Sequence, residues 1–195
     1  MAGSTGQLRG VLHGNEPIGT DRGPAVVAVS ACLLGLPCRY DGDEGGSDAL
    51  RRRLEALARI GLDVRGVCPE QLGGLPTPRA SASLHGGDGK AVLLGKAQVQ
   101  RNQDGGDVTD AFVRGARQAR AALGEHAPVL AVLKARSPSC GVRRAWQDGE
   151  VRDGDGVFAA LLRKEGVPLH DDEGFLATAA AGALAGDDEA TTEAG

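Results

Sequence analysis

Short apolar runs alternate along the chain with segments of helical periodicity, and this alternation constrains the fold more than any other feature. The run Ala25–Leu34 is continuous and rich in valine and leucine, which is typical of a strand buried on both faces. Further runs span Leu62–Cys68, Pro128–Leu133 and Val167–His170, the last with a proline that favours an edge position. Because strands that alternate with helices form parallel sheets, we expect an α/β fold with a mostly parallel sheet, flanking helices and a Rossmann-like three-layer arrangement.

Three amphipathic segments between these runs predict helices, each bounded by a capping residue and a terminal glycine. Their limits are residues 47–61, 109–124 and 157–166. Apolar residues at helical spacing form the expected inward faces of the first two helices: Leu50, Leu54, Leu57 and Ile60, then Phe112, Val113, Ala116 and Leu123.

The length of 195 residues and the 41% of hydrophobic residues predict one domain, which we place at residues 25–176. Residues 1–24 show no periodicity and are expected to form a flexible extension, and the acidic residues 177–195 a largely disordered tail. The net charge of −4 gives no electrostatic footprint for bulk nucleic acid. No apolar stretch approaches the ~20 residues of a membrane span, so no membrane partner is expected.

The four cysteines are Cys32, Cys38, Cys68 and Cys140, too few for a disulfide scaffold at this length. Residues 1–25 lack the apolar segment of a signal peptide. We therefore expect a cytoplasmic protein. In that reducing compartment, cysteines tend towards metal binding or catalysis.

Three of these cysteines are expected to meet although they are distant in sequence. Cys32 lies near the carboxyl end of the first predicted strand, Cys68 ends the second, and Cys140 follows the third. Ligands of parallel sheets bind outside the carboxyl ends of the strands. The wide spacing disfavours a zinc site with close cysteine pairs, whereas an iron–sulfur cluster accepts scattered thiolates. Buried thiols without any ligand, as in a small nucleotide-binding protein, stay an open alternative.

Three motifs carry a resemblance to a known family. They are Ser30–Gly35 with Cys38–Gly42, Cys68–Glu70 with Gly73–Arg79, and Leu133–Gly141. With the intervening Asp107-Val108-Thr109, they resemble in order and spacing the DUF523 family, which includes the thiouracil desulfurases, or desulfidases. The resemblance spans residues 26–173.

The resemblance implies an α/β enzyme with an oxygen-sensitive four-iron, four-sulfur (4Fe-4S) cluster held by three cysteines, here Cys32, Cys68 and Cys140. It implies non-redox removal of sulfur from a small thiolated base such as 2-thiouracil, with the substrate sulfur bound to the open iron. No obligatory redox partner is then expected. Glu70 corresponds to a general base and acid, and Ser137 to a residue that relays a proton. From the residues alone, a helix-capping Glu70 and a turn-forming Ser137 are the simpler interpretations.

Several assignments stay open at this point. Cys38 as a fourth ligand would close the site and indicate a non-catalytic iron–sulfur, zinc or redox module. Arg39, Tyr40 and Asp41 are candidate substrate-binding residues, but they fit a hydrogen-bonded turn equally well. In the family, a carboxylate is common at the position of Ser83. Its replacement by serine bears on which substrate the protein accepts. The oligomeric state and the exact physiological substrate do not follow from the sequence.

Overall fold

The computed structural model describes residues 25–178. Its strands are β1 (Val26–Ser30), β2 (Asp63–Val67), β3 (Ala82–His85), β4 (Gln98–Arg101), β5 (Leu130–Leu133), β6 (Arg144–Gln147), β7 (Glu150–Asp153) and β8 (Leu169–Asp171). Its helices are α1 (Asp48–Arg59), α2 (Pro69–Leu72), α3 (Gly89–Leu93), α4 (Thr109–Ala122) and α5 (Val157–Lys164). Residues 1–24 of the predicted N-terminal extension and residues 179–195 of the predicted tail lie outside the described residues. Residues 177 and 178 belong to a helical segment that starts at residue 172. No helix within the described range has the length and apolar character to cross a membrane.

The four predicted apolar runs form one parallel sheet in the order β2-β1-β5-β8. Val27 of β1 lies opposite Val64 of β2 on one side and Leu130 of β5 on the other. β8 occupies an edge, as its proline-containing sequence predicted. The expected α/β class is confirmed.

Helices cover both faces of this sheet. Val27 and Val29 of β1 belong to the core beneath α1, whereas Ala28 belongs to the core beneath α4 and α5. The alternation follows from the two-residue period of a strand. The largest side chains of both cores are fully buried: Leu50 and Leu54 on the α1 side, Phe112 and Phe158 on the other.

Helix and strand boundaries differ from the sequence-based expectations at three points. The first strand ends at Ser30, and residues 31–34 form a 3₁₀ turn closed by Gly35 at φ +91°. Ile60 is 75% exposed because α1 ends before it, so the prediction that it faces inward is wrong. Thr109 does not cap α4; its hydroxyl accepts a hydrogen bond from Val99 N and ties α4 to β4.

A second, mixed sheet in the order β4-β3-β6-β7 was not predicted. Its strands have only four residues each, and two of them are largely polar, so they carry little periodic signal. One face of this sheet contributes Leu84, Val99 and Ala145 to the main core. The two sheets meet near β6, where Arg136, just beyond β5, forms a bridge to Ala145.

Candidate functional site

A cavity of about 540 Å³ opens at the carboxyl ends of the parallel strands. All four cysteines line it, and so do Glu70 and Ser137. The predicted convergence of Cys32, Cys68 and Cys140 is therefore confirmed, and Cys38 joins them. The strand order explains this arrangement, because three neighbouring strands release their cysteine-bearing segments at the same edge.

The first cysteine lies in the 3₁₀ turn that follows β1. Cys32 is 6% exposed, and its carbonyl accepts hydrogen bonds from the N–H groups of Gly35 and Gly45. The side chains of Cys32, Arg39 and Lys134 all come within 3.4 Å of the position that a Cβ of Gly45 would occupy. A glycine at this point lets the returning chain approach the thiol closely.

The second cysteine precedes α2, whose first residue is Pro69. This short helix packs backbone to backbone against α4. A Cβ on Gly115 would lie 1.9 Å from the carbonyl oxygen of Pro69, and one on Gly73 would lie 2.1 Å from that of Ala111. Only glycine permits this contact, which fixes the position of Cys68 and Glu70 together.

The third cysteine lies in a loop anchored by the first turn of α5. Val157 N donates a hydrogen bond to Pro138 O, and Phe158 N donates to Ser139 O. The Ser137 hydroxyl oxygen accepts from the N–H groups of Ser139 and Cys140, both at 3.1 Å. Ser137 therefore forms the turn suggested by its sequence context, and its own O–H is left to act as a donor.

Cys38 lines the same cavity as Cys32 and Cys68, and the Cys68 thiol donates a hydrogen bond to the carbonyl oxygen of Cys38 at 3.6 Å. The contact with Cys32 and burial raise the pKa of Cys38 to about 11, although the contact with Cys68 opposes this. The contact with Cys38 and burial also raise the pKa of Cys68, and burial raises that of Cys140. A thiol with a raised pKa is protonated at neutral pH, so binding iron through it releases a proton.

The Glu70 carboxylate is held on both oxygens at the cavity wall. Arg79 Nε donates to Oε2 at 2.7 Å, and Ser139 Oγ donates to Oε1 at 3.2 Å. The side chain of Glu70 is only 15% exposed and that of Arg79 only 7%. Arg79 also donates to the carbonyl oxygen of Cys38 at 3.0 Å, which links the carboxylate to the cysteine-bearing loop.

Each of the four cations that line the cavity is paired with a carboxylate of the described residues. These pairs are Arg39–Asp41, Arg79–Glu70, Lys134–Asp172 and Arg136–Glu173. Arg39 and the half-exposed Tyr40 reach the cavity, whereas Asp41 does not line it and serves as the partner of Arg39. The positive charges at the cavity wall are therefore balanced by the negative charges of their carboxylate partners.

The donor set suits an iron–sulfur cluster better than a single metal ion. Within residues 25–178, no three His, Cys, Asp or Glu side chains form a group suited to one metal ion. A cluster has a different requirement, because each of its irons takes its own thiolate. Buried or partly buried sulfur donors on three separate segments around one cavity meet that requirement.

Comparison with known proteins decides the family. A family model described as 2-thiouracil desulfurase matches residues 27–174. The chain belongs to the 2-thiouracil desulfurase family. The uncharacterized protein YbbK of Bacillus subtilis (strain 168) is 36% identical over 144 residues, which cover 72% of this chain and 91% of YbbK. The solved structure of the [4Fe-4S]-dependent thiouracil desulfidase TudS (DUF523Vcz) is also 36% identical, with a TM-score of 0.63, and the match covers 84% of this chain and 99% of TudS.

These matches confirm the resemblance to DUF523 and the α/β fold. The 2-thiouracil desulfurase family model covers all three cysteine motifs of this chain. The roles of individual site residues stay predictions.

The structure also shows cavity residues that the sequence did not single out. Arg79 and Ser139 stood within the quoted motifs, but no pattern indicated that both would bind Glu70. A further part of the cavity wall comes from the unpredicted sheet and its neighbouring segments. It is lined by Ser81, Ala82, Asn102 and Trp146. Its strands are too short and polar for a periodic signal, but the turn Asp148-Gly149, with both residues at positive φ, is a hairpin signal that could have located β6 and β7.

Proposed function

We propose that this protein is a desulfidase that converts a thiolated pyrimidine such as 2-thiouracil into its carbonyl counterpart. The overall reaction takes up one water and releases hydrogen sulfide, so no electrons are gained or lost. One observation carries the proposal: Glu70 and the cysteines of three strand ends line the same cavity in a chain of the 2-thiouracil desulfurase family. The solved relative TudS, a [4Fe-4S]-dependent thiouracil desulfidase, supports this choice of reaction.

We assign Cys32, Cys68 and Cys140 as the residues that hold the 4Fe-4S cluster. Cys32 and Cys140 are buried and Cys68 is partly buried; they come from three separate segments, and close glycine contacts shape the turns around them. A cluster held by these three cysteines would supply a Lewis-acidic iron without a protein ligand, which would be able to bind the sulfur of the substrate.

Glu70 is assigned as the general base that takes a proton from the attacking water and returns one to the departing sulfur. Arg79 and Ser139 fix its two oxygens, which keeps the carboxylate oriented at the cavity wall. The Ser137 hydroxyl accepts two backbone hydrogen bonds, so its proton can be donated towards the substrate. Ser139 therefore holds both groups in place, Glu70 through its hydroxyl and Ser137 through its backbone N–H.

A neutral, small substrate fits the charges of the cavity. A nucleotide would bring a phosphate group, which proteins bind with available cations or backbone N–H groups. The four cavity cations are each paired with a carboxylate, as described above. We therefore favour a free thiolated base over a phosphorylated nucleotide.

The test is anaerobic purification followed by measurement of iron, sulfide and the conversion of 2-thiouracil to uracil. We expect equal amounts of uracil and hydrogen sulfide without added reductant. Iron-loaded protein that releases neither product from any thiolated base would overturn the proposal.

A non-catalytic, four-ligand iron–sulfur or zinc module is the second candidate. It is favoured by the position of Cys38, which is buried and lines the same cavity as the other three cysteines. Parallel Cys38→Ser and Cys140→Ser variants separate the two candidates. Three-cysteine ligation predicts loss of iron only in Cys140→Ser, whereas a four-ligand site predicts loss in both.

A further inference from the structure

A hydrogen-bonded chain of three polar side chains reaches the cavity from the second sheet and its neighbouring segments. Ser83 Oγ donates to Oδ1 of Asn102 at 2.8 Å, and Nδ2 of Asn102 donates to Ser81 Oγ at 3.0 Å. The main chain is fixed as well, because Asn102 N donates to Ser81 O at 2.8 Å. Ser83 is only 1% exposed, whereas Ser81 and Asn102 line the cavity. A buried serine thus anchors an amide that borders the cavity.

This amide keeps hydrogen-bonding capacity for a ligand. An asparagine side chain has two N–H donors and an oxygen that accepts two hydrogen bonds. The contacts formed within residues 25–178 use one of each at Asn102. One N–H donor and one acceptor position therefore stay available on this exposed amide, whose orientation is held by its two serine neighbours.

We propose that Asn102 determines substrate specificity by pairing with the adjacent N3–H and C4=O groups of the pyrimidine ring. This inference rests on the proposed desulfidase function. A ring N–H beside a carbonyl matches the acceptor and donor of an amide, as in the two-bond contacts of asparagine with adenine. In 2-thiouracil, N3 is bonded to C2, and the edge formed by N3–H and C4=O lies beside the C2=S bond. A ring whose sulfur faces the cysteines therefore presents this edge to a flanking part of the same cavity, which Asn102 lines.

The test compares 2-thiouracil with pyrimidine-2-thione, which keeps the C2 sulfur and one ring N–H but has neither the C4 oxygen nor the second ring N–H beside it. We expect the wild-type protein to prefer 2-thiouracil by about tenfold in kcat/KM, the size of one or two net hydrogen bonds. Asn102→Ala should abolish that preference by raising the KM for 2-thiouracil and leaving pyrimidine-2-thione unaffected. Asn102→Asp, which keeps the size but lacks the N–H donor, should also lose it.

Gln98→Ala is the matched control, because Gln98 is exposed on the preceding strand and lies outside the cavity. This variant should keep the wild-type preference and iron content. Titration of uracil into each iron-loaded protein gives a readout independent of turnover, and Asn102→Ala should weaken uracil binding by about tenfold.

Unchanged substrate preference and uracil affinity in Asn102→Ala would overturn the assignment. Failure of the wild-type protein to convert either thione would instead reject the proposed function. The uracil titration then decides the role of Asn102 by itself: weaker binding to Asn102→Ala supports the assignment, and equal binding refutes it.

Discussion

Glu70 is positioned by two neighbours that leave its carboxylate at the cavity wall. Glu70→Gln keeps the shape and the capacity to accept from Arg79, but an amide cannot take a proton from water. We expect the rate of 2-thiouracil conversion to fall by about 10²–10⁴-fold, the usual contribution of a general base. Iron content and absorption spectrum should match the wild-type protein. A variant that retains more than a tenth of the activity would remove Glu70 from proton transfer.

The largely buried pair between Glu70 and Arg79 also contributes to the stability of the fold. Removal of one partner from such a pair leaves an uncompensated charge and costs about 3–5 kcal/mol. We expect Arg79→Met to lower the free energy of unfolding towards that range in urea titrations at pH 7. Addition of Glu70→Gln should restore part of the loss, since the unpaired charge is then gone. A double variant no more stable than Arg79→Met would contradict this explanation.

Residues with a distinctive chemistry could be found from the sequence, whereas their partners could not. Cys32, Cys68 and Cys140 were placed at one cavity because strand ends of a parallel sheet share an edge. Arg79 hydrogen-bonds to Glu70, which is 9 positions away, and Asn102 to Ser83, which is 19 positions away. Such contacts depend on how loops and the second sheet fold back, and no local periodicity records that.

At the scale of elements, the contact between α2 and α4 sets the position of Cys68 and Glu70. Alanine normally favours a helix over glycine by about 1 kcal/mol. At position 115, however, its Cβ would come to 1.9 Å from the Pro69 oxygen, so α2 must move. We expect Gly115→Ala to lower the free energy of unfolding by about 1–3 kcal/mol despite the helix preference.

The same substitution should reduce desulfidase activity, because α2 carries Glu70. Arg117→Ala is the control, as Arg117 is exposed on the same helix. It should leave both properties unchanged. Urea unfolding and 2-thiouracil turnover measure the two effects. A Gly115→Ala protein more stable than wild type would show that α2 can shift away from α4 without loss of stability.

A second element contact joins α5 to the loop that carries Cys140. Asp155 accepts hydrogen bonds from Arg163 and from the N–H of Arg143. Burial alone would raise the pKa of Asp155, but these hydrogen bonds prevail and hold it below its ordinary value of 3.8. The ionised carboxylate therefore stabilises the folded state above the unfolded pKa, and this contribution is lost as the pH falls through the lower folded pKa.

We expect Asp155→Asn to lower the free energy of unfolding by about 1–2 kcal/mol at pH 7, a modest value because Arg163 is partly exposed. The difference from wild type should stay constant from pH 7 to about 5 and shrink below about pH 4. Urea titrations across this range measure it. A difference that persists undiminished at pH 3 would exclude ionisation of Asp155 as its cause.

The elements of the parallel sheet were predictable because their apolar runs are continuous and buried on both faces. β4 and β7, with the sequences Gln-Val-Gln-Arg and Glu-Val-Arg-Asp, offer one apolar residue each. β4 pairs with β3 and β7 with β6, and the two pairs are joined where Leu84 lies opposite Gln147. The turn Asp148-Gly149 indicates the β6–β7 hairpin, but no local pattern places that hairpin beside the cavity.

At the scale of the whole molecule, the cavity lies between two sheets that supply different chemistry. The parallel sheet contributes thiols and the Glu70 carboxylate, and the mixed sheet with its neighbouring segments contributes neutral polar and aromatic groups. This division suits a reaction in which one edge of a flat ring reacts while another edge is recognised. It also means that binding at the cavity spans segments far apart in sequence.

Loss of iron should therefore destabilise the whole domain rather than one loop. Ligands that bind only the folded state raise its stability, and thiolates from three strand ends exist as a set only after folding. A stabilisation of even about 2 kcal/mol corresponds to about 4–8 °C in a domain of this length. We expect chelator-treated protein to unfold at least that much lower than iron-loaded protein in anaerobic thermal scans. Cys140→Ser should unfold at the lower temperature with or without iron, whereas Gln98→Ala should show the full shift. Equal unfolding temperatures for loaded and chelated wild-type protein would mean that iron does not join these segments.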